Sequence, residues 1–220
     1  MKTHNTFIVV FLLCLGGCAT PLPPANVLGS LETDIQQAVV VEADPQHQTK
    51  AKVSAWQRGE NGWEAVFPSM NSVIGRNGLA SAGEKREGDG RTPSGLFRLE
   101  RAFGYPAAVN TKLAYAQVGV DDFWVDDPAS EQYNTWVKGT PQVNSFERLK
   151  RDDHLYKYAA VIEYNTRPVV AGNGSAIFLH VWRGADSSTA GCVALSQRNV
   201  KRLLKWLDGA KHPVIVLGDP

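Results

Sequence analysis

AIFLHVWRGADSSTAGCV, residues 176–193, holds a strand, a polar connection and a return to apolar sequence. Ala176 to Trp182 is rich in branched and aromatic residues and reads as a core strand. Side chains alternate along a strand, so His180 shares a face with Phe178 and Trp182. The connection from Arg183 to Gly191 is polar and carries two glycines, enough chain to turn back. A strand, a loop of that length and a return can set the side chains of His180 and Cys192 side by side.

Outward from this segment the chain is a series of short strands. Gln37 to Ala43 holds the run Val39-Val40-Val41, and Tyr158 to Tyr164 is a second core strand. Lys50 to Trp56 alternates in polarity, Arg58 to Gly62 supplies a turn, and Trp63 to Phe67 returns, so the pair reads as a hairpin. Leu79 to Gly95, rich in glycine and charge, reads as a long loop or irregular hairpin. Within it Lys85-Arg86-Glu87 is expected to be a solvated tip. The loop ends in turn chemistry, Arg91-Thr92-Pro93-Ser94-Gly95, ahead of a strand from Leu96 to Leu99. Phe123 to Val125 is a further strand that stops before Pro128, which has no amide to give a ladder. Gln197 to Leu207 is the one clear helix: Ser196 caps it, Val200, Leu203, Leu204 and Leu207 share a face, and Gly209 is placed to end it. Val214 to Leu217 closes the domain as a strand. Many short strands with one C-terminal helix predict a mainly β fold, a sandwich or barrel.

The N-terminus reads differently. Phe7 to Leu15 is apolar but shorter than the roughly 20 residues that span a bilayer, and it follows Lys2. Leu15-Gly16-Gly17-Cys18 reads as a lipoprotein processing site, with Cys18 the lipidated residue. Residues 1–17 are then a signal peptide, 18–36 a lipidated N-terminus and proline-rich tether, and 37–218 the folded domain. Cys14 leaves with the signal and Cys18 is capped, so Cys192 alone remains a free thiol. The expected location is the cell envelope, facing the periplasm, with the outer membrane as the destination in a Gram-negative host. Lys and Arg number 23 against 22 Asp and Glu, and loss of Lys2 makes them equal. No polybasic stretch tracks phosphates, which argues against a nucleic-acid partner.

An unpaired cysteine in an exported chain is a reactive thiol to be flagged, although a buried small hydrophobe is the plainer reading. A free thiol of pKa ~8.5 needs a base or cation beside it to react at neutral pH. Imidazole can take the thiol proton and later return it to a leaving amine. Gly191 lets backbone approach a substrate, and amides near Cys192 can form an oxyanion hole. The histidines (His4, His47, His154, His180 and His212) are dispersed, with no metal-ligand spacing, so neither metal nor cofactor is expected.

Ile177-Phe178-Leu179-His180 followed by Thr189-Ala190-Gly191-Cys192-Val193 closely resembles the catalytic segment of the L,D-transpeptidases, a family of peptidoglycan enzymes. Asp89 to Gly95 is similar to that family's Thr-Pro-x-Gly turn. The resemblance runs from about Gln37 to Leu217. It implies Cys192 as nucleophile, His180 as proton acceptor and donor, and peptidoglycan stem peptides as partner. Ala190 stands where the family has a second histidine, Thr189 for its serine, and Ala194 where an arginine is common. Trp124-Val125-Asp126-Asp127-Pro128 with Tyr133-Asn134 looks like a distinct branch of the family. Arg183 is a candidate for a substrate carboxylate. Asp126 or Asp127 is a candidate for an acceptor amine, and only one of the two can serve because neighbours on a strand point to opposite faces. Tyr133, Asn134 and Trp136 can line a groove or pack. The rival functions are a hydrolase of the same fold, a non-catalytic wall-binding lipoprotein and a thiol redox protein. The last lacks a second mature cysteine.

Overall fold

The computed structural model describes residues 25–218. The expected signal peptide, 1–17, and Cys18 lie outside them. The strands in chain order are β1 (Gln37–Ala43), β2 (Lys50–Gly59), β3 (Gly62–Val73), β4 (Gly95–Arg98), β5 (Arg101–Gly104), β6 (Ala114–Gln117), β7 (Asp122–Val125), β8 (Trp136–Lys138), β9 (Phe146–Arg148), β10 (Tyr158–Val161), β11 (Phe178–Val181), β12 (Val193–Leu195) and β13 (Val214–Leu217). A short helix α1 (Ala25–Leu28) precedes them, and α2 (Gln197–Trp206) lies between β12 and β13. One ten-stranded mixed sheet runs β4-β13-β1-β2-β3-β12-β11-β10-β5-β6, and β8-β7-β9 form a separate small sheet. The fold is mainly β with one substantial helix, as the sequence predicts.

Alternation along β1 shows how the sheet divides the interior. Val39 and Val41 join the main core with Leu179, Val181, Leu203 and Leu204. Ala38 and Val40 face the other side, against Leu28, Leu31, Ile35 and Trp56. In β11, Leu179 and Val181 take the first core, while Phe178 joins a third cluster with Phe103, Trp124, Tyr156 and Cys192. β2 and β3 lose register twice, between Val53 and Ala55 and between Ala55 and Trp56. The extra β3 residues fall around Pro68, which cannot donate to a ladder. Such bulges bend a strand and strengthen twist, which curls the sheet. The sequence predicts that this strand ends at Phe67; the bulge carries it on to Val73 instead.

Helix α2 is built as expected on its buried side. The Ser196 hydroxyl accepts the Asn199 amide at 3.3 Å, and Val200, Leu203 and Leu204 are buried. Gly209, expected to end the helix, instead opens a 3₁₀ turn capped by Asp208. The helix has already stopped at Leu207, which is extended and fully buried. The strand expected over Ala176–Trp182 contracts to Phe178–Val181, because Ala176 takes a left-handed conformation (φ 53°) and gives its amide to Asn134 Oδ1.

The tether expected to reach residue 36 ends earlier. Leu28, Leu31 and Ile35 are buried, Trp63 Nε1 donates to the Leu28 carbonyl at 2.9 Å, and Arg58 donates to the carbonyls of Leu31, Glu32 and Ile35. The apolar spacing of these residues covers the outer face of β1, β2 and β13. Ile35→Ala should therefore cost about 2–5 kcal/mol, as other buried aliphatic truncations do. Urea unfolding measures it: a residue in a free tether would leave the midpoint unchanged.

Candidate active site

β11 and β12 run parallel, with His180 opposite Ala194 and Leu179 opposite Val193. Cys192 directly precedes β12, two residues before the partner of His180. Positions two apart on neighbouring strands present side chains to the same face. Both side chains line one cavity of about 540 Å³, and both are mostly buried, His180 at 6% and Cys192 at 7% exposure. The structure thus brings together the two residues that the sequence singles out.

The cysteine is fixed through its backbone. Its carbonyl accepts the Thr189 hydroxyl at 2.7 Å and the Thr92 hydroxyl at 3.4 Å. Thr92 is fully buried and its oxygen also accepts the Gly75 amide at 2.9 Å. The Thr-Pro turn is therefore the clamp behind the cysteine segment. Two glycines permit the approach. A Cβ on Gly75 would lie 2.4 Å from the Gly90 carbonyl oxygen, and one on Gly191 would lie 2.9 Å from that of Arg91. The Gly191 amide, expected in an oxyanion hole, instead donates to Thr189 Oγ1 at 3.1 Å. Gly191 is needed here for backbone packing.

At rest the thiol donates to the Ala176 carbonyl at 3.3 Å and its sulfur accepts the Phe178 amide at 3.3 Å. Burial, followed by the nearby Glu147 carboxylate, pushes the Cys192 thiol up to about 12. Burial also holds the His180 imidazole down at about 4, only partly opposed by the carbonyls of Val181 and Leu155. The resting pair is thus a neutral thiol and a neutral imidazole. His180 Nδ1 lies 2.8 Å from the Val181 carbonyl, which can only accept, so Nδ1 carries the proton and Nε2 is the basic nitrogen.

Behind His180 stands a network that sequence reading missed. The ring of Tyr156 meets His180 edge-on at 5.1 Å, and its hydroxyl donates to Glu147 at 2.7 Å. Arg151 bonds Glu147 at 3.3 Å and, through two nitrogens, both oxygens of Asp153. Glu147, Arg151 and Tyr156 all line the cavity. They lie 24 or more residues before His180 with no local motif, so only the fold brings them there.

The remaining candidates separate clearly. Arg183 and Asp126 line the cavity. Asp126 Oδ1 is buried without a hydrogen-bond partner, and burial raises its pKa. Asp127 is turned away: it accepts the amides of Ala129 and Asn144 and braces a turn. Tyr133 does not line the cavity. It is 2% exposed and its hydroxyl donates to Glu87, which does line it, so Tyr133 supports the wall. Asn134 packs: it accepts from Trp124 Nε1 and the Ala176 amide and donates to the carbonyls of Tyr164 and Asn165. Trp136 donates to Asp122 and packs on Phe103. Lys85, expected in a solvated tip, is buried, because its ammonium is held by Asp89 at 2.7 Å and by the Arg86 carbonyl at 2.6 Å. Ala190 is exposed at the cavity and Ala194 is buried in its wall. Among the described residues no trio of His, Cys, Asp and Glu is arranged to hold a metal ion.

The family model of the L,D-transpeptidase catalytic domain, YkuD, matches residues 38–216. The chain belongs to that family. Neither the curated proteins nor the solved structures give a match.

The buried pair sets a pH window. An unfolded chain titrates histidine near 6.5 and cysteine near 9. Because folding depresses the His180 pKa, the unfolded state alone gains that proton as pH falls from 6.5 towards 4, and stability drops over that range. Because folding raises the Cys192 pKa, the unfolded state alone loses that proton as pH rises from 9 towards 12, and stability drops again. His180→Gln should flatten the acid limb in denaturant titrations. Alkylation of Cys192 by iodoacetamide should be slow at neutral pH and still rising at ~10, with Glu147→Gln moving the profile to lower pH. A plateau near neutral pH would mean a preformed ion pair.

Proposed function

We propose that this chain is a cysteine acyltransferase that cross-links peptidoglycan through a thioacyl-enzyme at Cys192. The observation that carries the reading is the same-face placement of His180 and Cys192 on paired strands in one cavity, in a chain of the L,D-transpeptidase family. His180 Nε2 takes the thiol proton as sulfur attacks a stem-peptide carbonyl. The tetrahedral intermediate collapses by expelling an amine, which receives that proton, and a thioester remains. An acceptor amine then attacks the thioester, gives a proton to His180, and sulfur leaves to be reprotonated. Because burial disfavours both ions singly, the proton moves with the attack rather than before it.

A transferase reading over the hydrolase is supported by two carboxylates of the cavity wall, although Arg76, Lys85, Arg151 and Arg183 line the same cavity. Glu87 is bonded to the hydroxyls of Tyr133 and Ser175, and Asp126 makes no ion pair among the described residues. Two carboxylates without cation partners suit an acceptor that arrives as an ammonium, because they can hold it and take its extra proton before it attacks as the free amine. Arg183 on the rim suits a stem-peptide carboxylate. Cys18 is the proposed lipid anchor, which places the domain in the cell envelope facing the periplasm, at the outer membrane in a Gram-negative host.

Cys192→Ala should abolish cross-link formation from purified muropeptides, and His180→Ala should lose about 10²–10⁴-fold while keeping its fold. Intact-protein mass spectrometry with a stem peptide should show one acyl adduct, on Cys192. Normal turnover by Cys192→Ala would sink the mechanism; release of trimmed peptides without cross-links would assign the hydrolase.

For the anchor, Cys18→Ala should leave the protein unacylated and shift it from the membrane to the soluble fraction. Fractionation and mass spectrometry of the wild type would refute anchoring by finding a soluble, unacylated chain.

A further inference from the structure

The exposed side of α2 carries Arg198, Lys201, Arg202 and Lys205 and no acidic residue. Among the described residues none of these four makes a salt bridge, although the chain as a whole is nearly balanced in charge. They rim a second cavity of about 690 Å³ whose floor is Phe67, Val109 and Trp206, with no carboxylate in the lining. Phe67 and Trp206 meet edge-on at 5.9 Å, and Arg202 lies over the Phe67 ring. This cavity shares no residue with the one that holds Cys192.

We propose that this face of α2 docks the domain onto an anionic lipid bilayer. Cations in a ring attract anionic headgroups, and an apolar aromatic floor suits the boundary between headgroup and acyl chain, where tryptophan is enriched. A soluble polyanion would use the charges but leave the floor without a partner. The topology makes the contact compatible with catalysis. Cys192 precedes the three-residue strand β12 and α2 follows it, so docking through α2 leaves the thiol beyond the opposite end of that strand. Lys201 and Lys205 are exposed and touch nothing in the catalytic cavity.

The test is vesicle sedimentation of the full chain carrying Cys18→Ala, so that no covalent lipid contributes. Phosphatidylcholine vesicles are compared with vesicles that also contain phosphatidylglycerol. The apolar leader, with Lys2, is common to all variants, so differences between variants report α2. Binding should be stronger to the anionic vesicles and should weaken with salt. Each cation held near an anionic surface contributes about fivefold, so K201Q/K205Q should lose about 25-fold of the anionic preference and K201E/K205E more. Both variants should remain folded, with a small drop in melting temperature from the lost Lys201–Tyr158 contact and the lost charge at the end of α2. Equal binding to the two vesicle types, or an anionic preference untouched by the charge reversals, overturns the proposal. Retention of soluble polyphosphate by the four cations without any vesicle binding assigns the patch to a free polyanion and also overturns it. None of these outcomes depends on the acyltransferase reading.

Discussion

The parallel pairing of β11 with β12 is the constraint on which the site depends. It places Cys192 two residues from the register partner of His180, so a common face is imposed by strand geometry. Holding that register requires backbone to approach backbone where side chains would intrude. Gly75 and Gly191 supply the space, and Thr92 occupies the junction by accepting from Gly75 and donating to the Cys192 carbonyl. The Thr-Pro turn and the cysteine segment are distant in sequence but form one hydrogen-bonded unit.

Around this unit the protein keeps its reactive groups dry and neutral. Burial disfavours the thiolate and the imidazolium, and the aromatic cluster of Phe103, Trp124, Tyr156 and Phe178 walls off one side. The small sheet β8-β7-β9 contributes Trp124 to that wall, held by Asn134, and Glu147, held by Tyr156 and Arg151. Segment 122–148, with no assigned role in the sequence reading beyond candidate contacts, therefore builds the part of the cavity facing His180 and Cys192. The cavity carries charge of both signs: Glu87, Asp126 and Glu147 line it together with Arg76, Lys85, Arg151 and Arg183. Substrates that carry both signs suit such a cavity.

Much of this was legible in the chain itself. Alternation and branched residues placed β1, β2, β7, β10, β11 and β13, the 3.6-residue period and Ser196 placed α2, and one thiol behind a glycine singled out Cys192. These are local signals, written within a few residues. Short partly exposed strands such as β6, β8 and β9 carry too little periodicity to be seen, and Pro68 hid the continuation of β3 because a bulge is a decision of the partner strand.

By itself the sequence determined the fold class and the His180 and Cys192 pair, because each depends on residue type at short spacing. Tertiary structure alone decided the rest. It sorted Asp126 into the cavity and Asp127 into a turn, withdrew Tyr133 behind Glu87, buried Lys85 against Asp89, and brought Glu147, Arg151 and Tyr156 behind the imidazole. The physical reason is common to all of them. Which way a polar side chain turns, and whether its charge keeps water, depends on partners supplied by distant strands rather than on its neighbours in the chain.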